Sequence, residues 1–121
     1  MTSPTLPRAK PETITIASGE SLSAAINLNG RVIVGIIMPA AWTTAAITMQ
    51  ACDSLGGTYV DVYATGGAEL SITTAASRYV AVDPVNQYGI NFAKIRSGTT
   101  GTPVNQGAER SIVLMIADQS L

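Results

Sequence analysis

The chain has 121 residues and a net charge of −1, with seven Lys and Arg against eight Asp and Glu, one cysteine and no histidine. That length fits one domain of the common ~100–150-residue size, and the charge balance argues against nucleic-acid binding, which needs clustered cations. Without histidine, and with a single cysteine, zinc and copper lack their usual ligands, and no apolar run approaches the roughly 20 residues of a membrane-spanning helix.

Residues 1–12 hold Pro4, Pro7 and Pro11 among Thr, Ser, Arg and Lys, without the apolar stretch of a secretory signal. Proline fixes φ and removes a backbone donor, so this stretch reads as an extended N-terminal arm rather than a sheet member. A single domain is expected over residues 13–121. Thr13 to Ile16 alternates, with Ile14 and Ile16 on one face, as a half-buried strand requires. Ser18 to Ser21 reads as a turn, and Ser21 to Leu28 as one helical turn or an irregular edge. Asn29-Gly30 is a reverse-turn pair, because both residues tolerate positive φ.

Arg31 to Met38 is apolar on both faces. Such a strand is either central and covered or lies at an interface, which makes Val32, Val34 and Ile36 candidate partner contacts. After a turn at Pro39–Trp42, Ala45 to Cys52 alternates with Ile47, Met49 and Ala51 on one face. The loop Asp53–Gly57 leads into Thr58–Tyr63, where Val60 and Val62 are expected to face inward and Tyr59 and Tyr63 to flank Asp61 on the other face. Gly66-Gly67 turns the chain into Leu70–Thr73, and Arg78–Val82 is a short strand closed by Asp83-Pro84. Within Tyr88–Ser97, the shared phase of Ile90, Phe92, Lys94 and Arg96 predicts a bulge near Ala93. Ser97–Gly107 is a long loop, and Arg110–Ile116 sets Ile112, Leu114 and Ile116 against Val113 and Met115. About eight strands at close spacing, with no helix-period segment of ten residues, predict an all-β fold. The expected architecture is an antiparallel, jelly-roll-like β-sandwich.

Little in this chain is equipped for chemistry. Acid–base work near neutrality has no histidine to draw on. The carboxylates stand singly, and only Asp53 and Asp61, flanking one hairpin loop, are placed to meet. No phosphate-binding loop or nucleophile elbow is present, and Asp53-Ser54 lacks the oxygen-ligand density of a calcium loop. The expectation is therefore no catalytic residue, no metal and no cofactor. Cys52 is expected to be reduced and buried as a small hydrophobe, which suits cytosolic assembly. Lys94, Arg96, Arg78 and Arg110 form either a basic row or, more simply, cross-strand pairs with Glu109, Asp83 or Asp61. Trp42 reads as a plug closing one end of the core or as a stacking surface for a sugar ring. Tyr59 and Tyr63 read as interface residues, since Tyr is enriched there.

The charged fraction, 12%, is half the usual ~25%. A surface of Ala, Thr, Ser, Gly and Asn is cheap to desolvate, which favours permanent contact with neighbours.

Several segments occur in a telling order. Gly19-Glu20-Ser21-Leu22-Ser23-Ala24-Ala25-Ile26-Asn27-Leu28 precedes a strand ending Met38-Pro39-Ala40-Ala41-Trp42-Thr43. Ile47-Thr48-Met49-Gln50-Ala51, the hairpin from Gly56 to Tyr63, Lys94-Ile95-Arg96-Ser97-Gly98-Thr99, and a loop with Pro103-Val104-Asn105-Gln106 follow. This order resembles small β-sandwich virion proteins of tailed bacteriophages and gene-transfer particles, found around the head. The resemblance spans Thr13 to Ile116, rests on turns and strand patterns, and transfers no catalytic residue. It implies a non-enzymatic structural protein: a capsid decoration or cement protein, a vertex base for head fibres, or a neck or tail component. Such a protein is assembled in the bacterial host cytoplasm and resides in the virion. Its partners are the major capsid protein or other virion proteins and further copies of itself, with the Pro4, Pro7 and Pro11 arm reaching over neighbours. The alternative is a carbohydrate-binding module or host-surface adhesin, with Trp42, Tyr59 and Tyr63 as the platform for a cell-surface glycan.

Overall fold

A computed structural model describes residues 9–118. Its strands are β1 (Lys10–Ile16), β2 (Ile26–Asn27), β3 (Arg31–Ile37), β4 (Ile47–Cys52), β5 (Val60–Asp61), β6 (Ser71–Ile72), β7 (Tyr79–Ala81), β8 (Phe92–Ser97) and β9 (Arg110–Asp118). They form two antiparallel sheets, one ordered β1-β9-β3-β7 and the other β2-β8-β4-β5, with β6 also on β4. Since β8 pairs with the whole of β4 from Ile47 to Cys52, β5 and β6 share the opposite edge. They are two halves of one strand, interrupted by an excursion over residues 62–70 that Leu70 N closes onto Val62 O at 2.9 Å. Counted as one, they give eight strands that switch sheets at every step along the chain except from β4 to β5/β6, which pair as neighbours. That is the order of a jelly roll, the sandwich the strand spacing predicts.

The alternation in the sequence sets the core. Ile16 on β1, Ile47 and Met49 on β4, Ile95 on β8 and Ile112, Leu114 and Ile116 on β9 point between the sheets and are fully buried. Asn29 and Gly30 adopt φ of 51° and 76°, and Arg31 N closes the turn onto Leu28 O at 3.0 Å. This turn carries the chain from the second sheet into the first.

Three expectations need correction. The first sheet begins at Lys10, so Lys10, Pro11 and Glu12 belong to β1 rather than to an arm, with Pro11 opposite Met115. Because β1 is an edge strand, one of its backbone flanks pairs with nothing in the sheet, and proline is tolerated there. Pro4 and Pro7 lie outside the described residues. The predicted bulge at Ala93 is absent, since β8 runs in unbroken register along β4 with Ala93 and Ile95 inward and Phe92, Lys94 and Arg96 outward. The irregularity falls instead in β3, between Ile33 and Gly35. One extra residue there lets Ile33 and Ile36, three apart, both face the core. Finally, Val60 is 63% exposed at the end of the sandwich opposite half-buried Ala51, while Val62 packs against the core as expected.

Two buried glutamines complete the frame. At the β3 irregularity the Gln87 side chain acts as a strand neighbour: its Oε1 accepts from Ile33 N at 2.7 Å and its Nε2 donates to Ile33 O at 2.9 Å. Gln106 does the same for Thr43, accepting from its N at 2.8 Å and donating to its O at 3.0 Å. Its Nε2 also reaches Ser97 Oγ at 2.7 Å, which ties the long loop to β8.

Candidate assembly interface

The outward side of the β1-β9-β3-β7 sheet is built in rows. Thr13, Val113, Ile37 and Tyr79 lie across one row, and Pro11, Met115, Gly35 and Ala81 across the next. Val32 and Ala117 pair beyond them and Thr15 with Ser111 on the other side. Among the described residues, every outward position of these four strands is uncharged. The alternation explains the character of the face: strands β3 and β9 are apolar at both phases, so burying one phase leaves apolar groups on the other. Ile37 and Tyr79 are 41% and 57% exposed, at the centre and edge of one row. Gly35 has a steric reason to be glycine, because a Cβ there would run into the Tyr79 hydroxyl and ring. The Tyr79 ring therefore lies over the sheet rather than standing off it.

The opposite face, outside β8 and β4, is its electrostatic contrary. Arg96 is buried there, with Nε donating to Thr48 Oγ1 at 2.9 Å, Nη1 to Asp61 Oδ1 at 2.7 Å and Nη2 to Glu69 Oε2. The two carboxylates in turn hold the loop after β8. Thr100 Oγ1 donates to Asp61 Oδ2 at 2.7 Å, and Thr100 N donates to Glu69 Oε1 and Oε2 at 3.2 and 3.1 Å. Glu69 reaches Arg96 because the excursion splitting β5 from β6 brings it back across Tyr63. The cluster is fully partnered and acts as a clamp joining β4, β5, β8 and two loops.

Asp61 is held below the usual carboxylate range, first by the Thr100 hydroxyl and then by Arg96. A depressed carboxylate stabilises the fold above its unfolded value near 3.9, and that contribution is lost as pH falls through the lower folded value. The stability gap between the wild type and Asp61→Asn should therefore narrow as pH falls from about 5 to about 2. Urea unfolding across that range measures it, and a constant gap would remove Asp61 from the acid response.

Of the residues singled out as candidates, most take structural places. Ile36 faces the core and Val32 is 3% exposed, so neither is available to a partner; Val34, half-buried in the irregular part of β3, is also a poor contact. The doubly apolar strand is central in its sheet, and only Ile37, at its end, is exposed. Trp42 is buried, its Nε1 donating to Ala45 O at 3.2 Å. Its ring plugs the core and offers no face to a sugar. Tyr59 and Tyr63 do flank Asp61 on the outward side. Tyr59 donates to Leu55 O at 2.8 Å and lies under Lys94, whose Nζ is 4.6 Å from the ring centroid. The Tyr59 phenol is pushed above its ordinary range by desolvation and by Cys52. Tyr63 is 53% exposed. No basic row forms: Arg96 pairs with Asp61, as the simpler reading expected, and with Glu69, whereas Arg110 Nε bonds Gln106 Oε1 at 3.1 Å. Asp53 and Asp61 do not meet; Asp53 Oδ1 lies 3.6 Å from the Sγ of Cys52, which is half-buried rather than buried.

The sequence reading missed the residues that form the outward rows, Ile37, Val113, Met115 and Tyr79. The signal was present in the two-phase apolarity of β9, once β9 is known to be a central strand. Compared with known proteins, the chain matches no family model, and neither a curated protein nor a solved structure shows significant similarity to it.

Proposed function

We propose that this chain is a non-enzymatic structural subunit of a tailed-phage virion, held in place by protein–protein contact through the outer face of β1-β9-β3-β7. The observation that carries the assembly reading is the absence of charge, among the described residues, from the outward positions of that face. A free-standing domain gains nothing from an uncharged sheet surface and risks aggregation by it, whereas a docked subunit buries it. The placement in a virion rests on the resemblance of the segments between Thr13 and Ile116. The jelly roll is compatible with it, as a fold used in capsids and in lectins alike. Within the particle, a capsid decoration or cement protein or a head-fibre base at the vertices fits best, with the major capsid protein as partner. The glycan-binding alternative loses its strongest candidate with Trp42 in the core, and retains only Tyr59 and Tyr63.

Electron microscopy of purified particles tests this. The expected result is a jelly-roll density at fixed, symmetry-related positions on the head, lost from particles carrying Ile37→Glu. A chain absent from the particles, or a glycan-array signal abolished by Tyr63→Ala, would overturn the reading.

A further inference from the structure

We infer that the cleft on the open side of the sandwich, between β6 and β7, takes up an extended strand of another protein, with apolar side chains at alternate positions and a Lys or Arg at one end. The cleft is separate from the outer face of β1-β9-β3-β7, and the inference stands whatever covers that face.

Two sheet edges border this cleft, β6 on one side and β7 on the other. In an antiparallel pair, successive residues turn their backbone groups to opposite sides. Met49 O accepts from Val62 N at 3.1 Å, so Met49 and Ile47 turn theirs toward β5 and β6, and Ile72 answers Ile47. The N–H and C=O of Ser71 and Thr73 therefore point away from β4, into the cleft. No hydrogen bond among the described residues meets them, and both residues are exposed. Between the edges the floor is apolar: Leu70, Ile72, Val80 and Val82 lie half-buried against the core. The cavity holds about 270 Å³, below the ~300–1,000 Å³ of small-molecule pockets. An extended chain suits it, because its backbone can bond Ser71 and Thr73 while every second side chain enters the floor.

This edge is also unguarded. β1, at the far edge of its sheet, carries Lys10, Pro11 and Glu12, which discourage pairing. Residues 70–73 and 79–82 contain neither proline nor charge. The one charged side chain lining the cleft is Asp83, exposed and outside the ion pairs of the described residues. Its Oδ1 accepts from Val85 N at 3.0 Å, which leaves Oδ2 for a cation and selects a basic residue at one end of the guest strand. Because β6 is short, the guest engages through about four residues, and the contact is weak and reversible.

Amide NMR titration of the full chain with two capped hexapeptides tests this. Both alternate Val and Thr, one with Lys first and the other with Lys last. One of them should shift the Ser71 and Thr73 amides and slow their hydrogen exchange, with half-saturation at roughly 0.1–1 mM. Glu in place of Lys should weaken it by about two- to fivefold. Methylating the peptide nitrogens that face β6 should abolish binding. Thr73→Pro should abolish it too, since that N–H serves nothing in the fold; circular dichroism checks folding, and the methylated peptide needs no variant. No shift from either peptide at 1 mM, or shifts confined to other residues, would overturn the inference. Binding that survives methylation would make the cleft an apolar pocket and reject strand pairing. The same amides shifting as the chain alone is concentrated would give the cleft to a second copy and reject the foreign strand.

Discussion

Arg96→Ala should be the most damaging single truncation of a charged side chain in this fold. Its side chain is 6% exposed, and its guanidinium is the only cation between Asp61 and Glu69 among the described residues. Removing it leaves two carboxylates facing each other, and Thr48 loses the Nε donor. Breaking a buried ion cluster from one side costs about 3–5 kcal/mol, because the desolvated partners stay behind. For a domain of this size that is a fall in Tm of roughly 10–20 °C by calorimetry. The cause is separable from simple loss of packing. In Arg96→Ala the abandoned carboxylates favour taking up a proton, so the deficit against the wild type should shrink as pH falls from about 7 toward 4. Adding Asp61→Asn and Glu69→Gln to Arg96→Met should recover most of the loss, since neutral groups do not need the guanidinium. A deficit that is independent of pH and unrelieved in the triple variant would mean that Arg96 serves chiefly as filler.

The cluster also shows where sequence legibility ends. Strand periodicity made the core legible where it is one-sided, as in β1, where Ile14 and Ile16 alternate with Thr13 and Thr15 and only one sheet face is apolar. The turn at Asn29-Gly30 was legible because its backbone demands positive φ at both residues. Asp61 as a partner of Arg96 was within reach as a cross-strand pair, but Glu69 was not. Its place depends on the excursion that breaks one strand into β5 and β6, and no local signal says how such an excursion lands. The irregularity in β3 was assigned to the wrong strand for a similar reason. The phase of Ile90 and Phe92 suggested a bulge in β8, yet Ile90 lies outside the strand, and the phase change is a strand start. Of the strand positions read as partner contacts, Val32 and Ile36 are buried. Two-sided apolarity in Val32, Val34 and Ile36 pointed to β3, whereas the exposed apolar groups of that face are Ile37, at the end of β3, and Tyr79, with Val113 and Met115 half-buried between them. Gln87 and Gln106 were invisible, since glutamine is mostly a surface residue and its burial requires a backbone partner supplied from 54 or 63 residues away.

Those two glutamines should respond alike to one substitution and differently to another. Each uses both ends of its amide to satisfy the N–H and C=O of a single residue, Ile33 for Gln87 and Thr43 for Gln106. Replacing either by Leu keeps the volume and strands both backbone groups, at about 2–4 kcal/mol in urea unfolding. Replacement by Glu separates them. At position 106 an introduced carboxylate likewise loses the donor to Thr43 O, but its acceptor oxygen already takes a bond from Arg110 Nε at 3.1 Å, so the charge meets a cation, and the Ser97 hydroxyl is free to turn and donate to it. At position 87 the neighbouring groups are the carbonyls of Ile33 and, at 3.5 Å, Asp83. A carboxylate there still accepts from Ile33 N, but it confronts Ile33 O without a proton to give. Gln87→Glu should therefore cost about 2 kcal/mol more than Gln106→Glu at neutral pH. The difference narrows in acid. Protonation restores the donor to Ile33 O, raising the folded-state pKa of the introduced group, so Gln87→Glu should regain stability as pH falls from about 7 to about 4. Gln106→Glu, whose charge is paired, should not. Equal losses at neutral pH, or no recovery of Gln87→Glu in acid, would show that the strand-mimicking amide at Ile33 is replaceable by water.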